Sequence, residues 1–281
     1  MKKGLILEGG AMRGLFTAGV MDVLMENKVA FDGAIGVSAG AAFGCNYKSG
    51  QIGRVLRYNT KYCRDKRYCG VRVLLRTGNI YSTDFCYGEV PLELDPFDFD
   101  TYEKSGMKFC VVCTDVSTGK AVYHEYTGRN DHLFDWIRAS ASLPLVSRMV
   151  EIDGEKYLDG GLADSIPVEY FESIGYDRNV AVLTRPLGYR KKPNDMMPLI
   201  RAKYKKYPEL VKTIAERHIM YNRELDLIAE KEAAGRLFVI RPEDDIPVRR
   251  VEKDPEKLRQ AYNLGRKAAE EKLPALISYL S

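Results

Sequence analysis

The sequence is poor in histidine, in long apolar runs and in net charge. Only three of its 281 residues are histidines, and the formal net charge is +4. So small a charge does not indicate a nucleic-acid-binding protein, which typically carries a strongly basic patch. No apolar run approaches the roughly 20 residues that a membrane-spanning helix needs. Neither of these two classes of protein is therefore expected.

Cysteine gives no sign of a metal or redox centre. Cys110 and Cys113 have C-x-x-C spacing, but they fall in Lys108–Thr114, which has the pattern of a buried strand. No second pair follows at the spacing of zinc ligands. We therefore expect free thiols in the core, with neither a metal nor a cofactor. The six cysteines are at positions 45, 63, 69, 86, 110 and 113.

The length and composition suit one large folded unit. With 45% hydrophobic and 29% charged residues, the chain resembles an ordinary globular protein. We expect a single domain over residues 1–281, with the motifs in about 4–185 and a helical part in 199–281. The start of the sequence lacks the apolar segment of a signal peptide, so a cytoplasmic protein is expected.

Strand and helix patterns alternate along the chain. Short apolar runs at 4–7, 34–37 and 179–184 have the pattern of buried parallel strands, and helical spacing follows the first two. This alternation predicts an α/β fold, a three-layer α/β/α sandwich with a mostly parallel central sheet. We expect loops at 69–99, hairpins at 107–126 and 149–158, and helices at 51–68, 131–143, 167–173, 199–234 and 254–280.

The stretch Asp32–Asn46 carries the strongest single motif. Within it, Gly36-Val37-Ser38-Ala39-Gly40 has the pattern G-x-S-x-G, between an apolar run and an alanine-rich segment with helical spacing. A serine at such a strand-to-helix turn lies in a strained bend with its hydroxyl projecting outward. A glycine-rich turn that only packs is the alternative, and the strand-turn-helix context favours a nucleophile.

Two further motifs complete a set. Glu8–Gly14 is a glycine-rich turn after the first apolar run, and Asp159-Gly160-Gly161 follows a predicted hairpin. Together with the serine motif and with Ala139–Pro144, their order and spacing over about residues 4–185 resemble the patatin-like phospholipases. The marks of that family are a G-G-G-x-[RK]-G turn, a G-x-S-x-G elbow, an A-S-x-x-x-P stretch and a D-G-[GA] triplet.

The resemblance implies a serine acyl hydrolase that cleaves lipid carboxylic esters, as a phospholipase A or a lysophospholipase does. Its catalytic groups would be a dyad, in which Ser38 attacks the acyl carbonyl and Asp159 is the general base. The expected partner is a lipid ester or phospholipid substrate. The family pattern also carries over supporting roles, to Arg13, Gly14, Gly36, Gly40, Gly160 and Gly161.

The glycine-rich turn would supply the oxyanion hole through the main-chain amides of Gly9, Gly10 and Ala11. Ala11 stands where the family usually has a third glycine. An alanine keeps its amide, so this contact survives unless the position requires a positive φ. Arg13 would brace the turn or face a phosphate.

Other acids and histidines provide alternatives to this dyad. An α/β-hydrolase triad runs Ser, acid, His, and only His218 follows the aspartate triplet, within a charged helical segment. His124 and His132 are interpreted as structural. Asp115 and Asp164 are further candidate acids, of which Asp115 is expected to cap the turn at 117–120.

Two other classes of function remain open. A dinucleotide-binding turn would need a glycine at position 11 and an acid after the second strand, whereas Asp32 precedes that strand. A non-catalytic lipid-binding or scaffold protein could keep the fold without the reaction.

A group of basic residues predicts a second kind of partner. Tyrosines alternate with lysines near Arg201–Tyr207, as they do at membrane interfaces, and a solvated helix face is the alternative. The hypothesis is a peripheral contact with anionic lipid. The residues that would face the membrane are Arg190, Lys191, Lys192, Lys203, Lys205 and Lys206.

Overall fold

Strands and helices alternate in the computed structural model, which describes residues 1–128 and 131–281. Its strands are β1 (Lys2–Leu7), β2 (Gly33–Val37), β3 (Lys108–Asp115), β4 (Ala121–Glu125), β5 (Val150–Ile152), β6 (Glu155–Asp159), β7 (Tyr176–Val182) and β8 (Leu237–Ile240). Its α-helices are α1 (Gly14–Glu26), α2 (Ala39–Lys48), α3 (Arg54–Tyr62), α4 (Val71–Thr77), α5 (Phe99–Lys104), α6 (Leu133–Ser140), α7 (Val168–Ser173), α8 (Met197–Lys203), α9 (Pro208–Ala233) and α10 (Pro255–Leu280).

These strands form one mixed sheet in the order β5-β6-β3-β2-β1-β7-β8, with β4 also paired to β3. The neighbours from β3 to β8 are parallel, whereas β4 and β6 pair antiparallel with β3. The mostly parallel sheet predicted from the sequence is thereby confirmed. Because β1 and β2 are parallel neighbours, the loops that follow both strands emerge at the same edge of the sheet.

Helices cover both faces of the sheet. Leu5 and Leu7 of β1 pack with the cluster that contains the buried side chains of α1, α2 and α10. Ile6, between them, points to the opposite face and packs with residues of α7 and α9. This alternation along a strand that is buried on both sides produces the three predicted layers.

The C-terminal helix α10 packs directly on α1, the first helix of the chain. A side chain at Gly19 would lie 2.0 Å from the Tyr262 carbonyl oxygen, and one at Gly265 would lie 1.9 Å from that of Phe16. The Tyr262 hydroxyl also donates to the Asp22 carboxylate at 2.7 Å. The two helices therefore approach to main-chain distance at these glycines.

Two predicted segments differ from the structure. The prediction of loops over 69–99 is wrong, because the segment holds α4 and a π-helix at Asp84–Leu94. A π-helix does not follow the 3.6-residue period, and Pro91 within it argues against any helix. The helix predicted at 51–68 is shorter, because after Tyr62 the chain turns at Asp65, whose carboxylate accepts the Arg67 amide at 2.8 Å.

None of the described helices combines the length and the apolar character that crossing a membrane requires.

We expect Gly265→Ala to lower the free energy of unfolding by about 1–3 kcal/mol, since the added methyl group forces α10 away from α1. Urea denaturation followed by circular dichroism measures this change. Gly106→Ala is the matched control, because a side chain there meets no atom within 4 Å. Its effect should stay within about 0.5 kcal/mol. Equal unfolding midpoints for the two variants would contradict the close helix packing.

Candidate active site

Ser38 lies in the turn between β2 and α2. Its φ is 55° and its ψ is −118°, a strained conformation that few residues other than glycine adopt. A side chain at Gly40 would come within 2.1 Å of the Leu7 carbonyl oxygen at the end of β1, so α2 can lie this close to β1 only with glycine there. The turn has the strand-turn-helix geometry that the G-x-S-x-G pattern predicts.

The Ser140 hydroxyl holds this strained turn in place. The main-chain amide of Ser38 donates to Ser140 Oγ at 2.8 Å, and the Ser140 hydroxyl donates to the Val112 carbonyl at 2.6 Å. Ser140 is fully buried at the end of α6 and thus connects the turn to β3. The signal for Ser140 in the sequence is its place as the serine of the A-S-x-x-x-P stretch.

Asp159 ends β6, and its main chain is fixed on both sides. Its amide donates to the Ser142 carbonyl at 2.9 Å, and the Thr114 hydroxyl donates to its carbonyl at 2.8 Å. At the next residue, Gly160, a side chain would lie 2.0 Å from the Val112 carbonyl oxygen. Glycine therefore lets the end of β6 lie directly against β3.

Ser38 and Asp159, which are 121 residues apart in the sequence, share a hydrogen bond. The Ser38 hydroxyl donates to Asp159 Oδ2 at 2.7 Å, and the Gly161 amide donates to Oδ1 at 2.9 Å. Burial raises the pKa of the Asp159 carboxyl, whereas the nearby Arg217 charge and these two hydrogen bonds lower it. A buried carboxylate with a raised pKa is a stronger base than one in water.

The glycine-rich turn lies beside Ser38. A side chain at Gly9 would lie 2.9 Å from the Ser38 Cβ. Ala11 has a φ of 51°, so this position does require the left-handed conformation, at a cost of about 1–2 kcal/mol for alanine. In residues 1–128 and 131–281, no protein acceptor bonds the amides of Gly9, Gly10 or Ala11.

Glu8, the first residue of this turn, is a buried acid to which no motif in the sequence points. Its carboxylate accepts the Thr184 amide at 2.6 Å and the Tyr221 hydroxyl at 2.6 Å. The Thr184 hydroxyl donates to the Gly9 carbonyl at 2.8 Å. Glu8 thus connects the turn to the end of β7 and to α9.

Two cavities meet at Ser38. An apolar cavity of about 920 Å³ is lined from α2, the π-helix and α6. It is lined by Met12, Ala42, Phe43, Tyr81, Tyr87, Val90, Phe134, Ile137 and Leu143, among others. A cationic cavity of about 580 Å³ shares Ala11, Ser38 and Leu143 with it. The charged side chains that line the cationic cavity are Glu8, Arg13, Asp159, Arg185, Lys191, Arg217 and Arg250.

The alternative acids and bases lie elsewhere. Asp164 accepts the Tyr123 hydroxyl at 2.6 Å and lines neither of the two cavities. Asp115 accepts the amides of residues 117 and 118 at 2.7 and 2.8 Å, as a turn cap does. His218 Nδ1 contacts the Ala215 carbonyl at 3.0 Å, and His124 contacts the Asp131 carboxylate at 2.8 Å. None of these residues contacts Ser38 in the part of the chain that the structure describes.

Asp32 and the cysteines also have structural roles. The Asp32 carboxylate accepts the Lys3 amide at 2.6 Å, at the end of β1 remote from the glycine turn. Asp32 therefore lies before β2 and not after it, where a dinucleotide site would need its acid. The cysteine thiols are free, and five of the six are buried. No group of three or more potential metal-binding side chains is found among the described residues.

Comparison with known families places this site in context. Residues 5–172 match the Patatin family model, described as patatin-like phospholipase. That match covers more than half of the chain. The chain belongs to the patatin-like phospholipase family. Residues 207–281 match a second model, described as a domain of unknown function, DUF6363.

Similar proteins are found in bacteria and fungi. The uncharacterized protein YjjU of Escherichia coli is 29% identical, over 93% of this chain and 74% of that protein. The lysophospholipase nte1 of Aspergillus niger is 30% identical, over 64% of this chain and only 12% of that protein. The crystal structure of VipD from Legionella pneumophila matches 98% of this chain and 67% of that one, with a TM-score of 0.50 and 13% identity. That last likeness shows the patatin-like fold alone.

The remaining supporting residues of the patatin pattern lie around the turns. Gly14 begins α1, and Gly36 lies in β2. Arg13 is half-buried and lines the cationic cavity, and its buried Nε finds no acceptor among the described residues. It therefore faces the cavity, and both of its expected roles, bracing the turn or facing a phosphate, stay predictions.

One of the six predicted membrane-facing residues does not lie on an outward surface. Lys191 lines the cationic cavity, with its ammonium 4.2 Å from the centre of the Tyr221 ring, so its assignment to an outward face is wrong. Tyr204 is buried and accepts the Leu145 amide at 3.1 Å, so it cannot act as an interfacial aromatic. The basic residues that remain exposed are Arg190, Lys192, Lys203, Lys205 and Lys206.

We expect Ser140→Ala to lower the free energy of unfolding by about 1–3 kcal/mol, because it leaves the Ser38 amide and the Val112 carbonyl without partners. Urea denaturation measures this loss. The exposed Ser173, whose hydroxyl donates only to the Tyr170 carbonyl, provides the control variant Ser173→Ala. If Ser140→Ala is as stable as that control, Ser140 does not hold the turn.

Proposed function

We propose that this patatin family member is a serine acyl hydrolase that cleaves lipid carboxylic esters with a Ser38–Asp159 dyad. The observation that carries the proposal is the 2.7 Å hydrogen bond from the Ser38 hydroxyl to a buried carboxylate, at the mouth of an apolar cavity. Family membership supports the same reaction class.

In the first step, Ser38 Oγ attacks the ester carbonyl while Asp159 Oδ2 accepts the hydroxyl proton. The tetrahedral intermediate then collapses, and Asp159 returns the proton to the departing alcohol. An acyl group remains on Ser38. A water molecule, deprotonated by the same carboxylate, hydrolyses this acyl-enzyme and releases the fatty acid.

The negative charge of the intermediate needs hydrogen-bond donors beside Ser38. The amides of Gly9, Gly10 and Ala11 are the candidates, because they have no acceptor within the described chain and Gly9 is adjacent to Ser38. One such donor contributes about 2.7–4 kcal/mol to stabilising the transition state. The strained φ of Ala11 is consistent with that role, since strain is retained where function requires it.

The apolar cavity suits the acyl chain of the substrate. Its walls are aliphatic and aromatic side chains of α2, the π-helix and α6, and Ser38 lies at its edge. A cavity of this composition favours a fatty acyl group over a polar one. The lysophospholipase names of the fungal relatives support an ester of this kind.

A non-catalytic lipid-binding protein is the alternative function. The apolar cavity favours lipid binding in either case, and the two functions differ in whether an ester is turned over. A peripheral contact with anionic membranes, and a cytoplasmic location, stay predictions from the sequence.

We expect Ser38→Ala to abolish both hydrolysis of p-nitrophenyl butyrate and labelling by a fluorophosphonate probe. Asp159→Asn should lower kcat by about 10²–10⁴, because a general base contributes that much. Asp164→Asn is the matched control, since Asp164 lies outside both cavities. Loss of activity in the control but not in Asp159→Asn would overturn the assignment of the base. Tight lipid binding without turnover in the native protein would favour the binding function.

The pH dependence of ester hydrolysis should follow the ionisation of the proposed base, Asp159. Asp159 must be ionised to accept a proton, so kcat/KM should fall as the pH drops through its pKa. Because burial raises that pKa, the loss should occur above the range of an ordinary aspartate. Arg217→Gln should shift it to still higher pH, since the Arg217 charge lowers the pKa.

The measurement is a pH–rate profile with a neutral p-nitrophenyl ester. Lys212→Met removes a charge of the same sign from an exposed position on the same helix and should leave the profile in place. If the loss of activity at low pH occurs at the same pH in Arg217→Gln as in the native protein, the Arg217 charge does not set the pKa of Asp159.

A further inference from the structure

The cationic cavity has more positive charge than its acids can balance. Five basic side chains line it, against the carboxylates of Glu8 and Asp159. Both acids already accept hydrogen bonds, Glu8 from Thr184 and Tyr221, and Asp159 from Ser38 and Gly161. The space beside Ser38 is therefore electropositive.

Several of these cations have no carboxylate partner in the described part of the chain. Arg13, Lys191 and Arg250 form no ion pair there, and the buried Arg13 Nε has no acceptor. Burial and the nearby Arg217 charge lower the pKa of Lys191 to about 7. Unpaired like charges around a cavity destabilise the empty site, and a bound anion would relieve that repulsion.

Three of the five cations that line this cavity, Lys191, Arg217 and Arg250, lie in the C-terminal third of the chain. Arg217 and Tyr221 belong to α9, and Arg250 lies in the segment before α10. The Lys191 main chain is held by Asn222, which accepts its amide at 2.8 Å and donates to its carbonyl at 3.0 Å. The segment matched by DUF6363 thus supplies two of the five cations, Arg217 and Arg250, and holds the main chain of a third, Lys191.

We propose that the cationic cavity binds a phosphate group carried by the alcohol part of the ester. The preferred substrates are therefore lipid acyl esters whose alcohol ends in an unsubstituted phosphate. This inference rests on the proposed hydrolase function. The fatty acyl chain occupies the apolar cavity, the ester carbonyl lies at Ser38, and the phosphate lies among the five cations. Hydrolysis breaks only the acyl carbon–oxygen bond, and the phosphate remains on the released alcohol.

Charge distinguishes this substrate from other phospholipids. A phosphate monoester carries about −1.5 to −2 at neutral pH and has three strong acceptor oxygens. Guanidinium and ammonium groups are the usual partners of such oxygens. A choline-capped phosphodiester carries one negative charge and would bring its own cation towards these five. The cluster therefore favours the monoester.

The first experiment compares three substrates with the same acyl chain in the same detergent. They are 1-oleoylglycerol 3-phosphate, 1-oleoylglycerol and 1-oleoylglycerophosphocholine. We expect kcat/KM to be at least about ten-fold higher for the phosphate monoester, since a hydrogen bond to a charged group contributes that much.

The second experiment assigns the preference to the cavity. The preference is the kcat/KM for the phosphate ester divided by the kcat/KM for 1-oleoylglycerol. Lys191→Met and Arg250→Gln should each lower this ratio by about 10- to 100-fold. Lys191 is suited to this test because its ammonium donates no hydrogen bond in the described chain. Lys212→Met, an exposed charge on α9, should leave the ratio unchanged.

Inorganic phosphate provides a readout that does not need activity. It should raise the Tm of the native protein, and Lys191→Met should lose that shift. A Tm shift in the absence of any preference for the phosphate ester would mean that the cavity takes free phosphate, and would overturn the substrate proposal.

The failures of the two proposals are distinguishable. Absence of hydrolysis of every ester, with no fluorophosphonate labelling, would reject the hydrolase function, and the Tm shift would still test the cavity. Equal kcat/KM on the three esters, with ratios unchanged in Lys191→Met and Arg250→Gln, would reject only the proposed preference for phosphate esters.

Discussion

Keeping the buried Asp159 carboxylate charged beside Ser38 is the constraint on which the proposed site depends. Burial of Asp159 favours the neutral acid, which could not accept a proton from Ser38. The Ser38 hydroxyl, the Gly161 amide and the charge of Arg217 oppose that effect. Because Arg217 lies on α9, the strength of the proposed base depends on a helix outside the segment that matches the patatin model.

Two of the six non-glycine residues with a positive φ in the described part of the chain lie at the site. Ser38 and Ala11 both have positive φ angles, in turns that follow adjacent parallel strands. Each costs on the order of 1–3 kcal/mol, and the surrounding hydrogen bonds must over-determine both turns. For Ser38, that support is the buried hydroxyl of Ser140. For the other turn, it is the connection from Gly9 through Thr184 and Glu8 to Tyr221.

The strands and the proposed dyad could be predicted because their signals are local or carried by motifs. The apolar runs that became β1 and β2 needed no knowledge of their neighbours. The π-helix could not be found in this way, since its period is irregular and it contains Pro91. Lys191 was misassigned for a different reason: a lysine in a basic stretch suggests a solvated surface, and only the contact with Asn222 turns it inward. Such long-range contacts leave no pattern in the local sequence.

The packing of this protein crosses the boundaries of the two segments that match family models. Residues 5–172 contain β1 but neither β7 nor β8, so that segment alone would expose one edge of β1, a strand that is buried in the whole chain. It would also expose the face of α1 that Gly19 presents to α10. Loss of these contacts removes packing from both faces of the sheet, in addition to four of the five cations beside Ser38. The segment that matches a domain of unknown function therefore contributes to both the core and the cationic cavity, and we propose that the two segments fold as one unit.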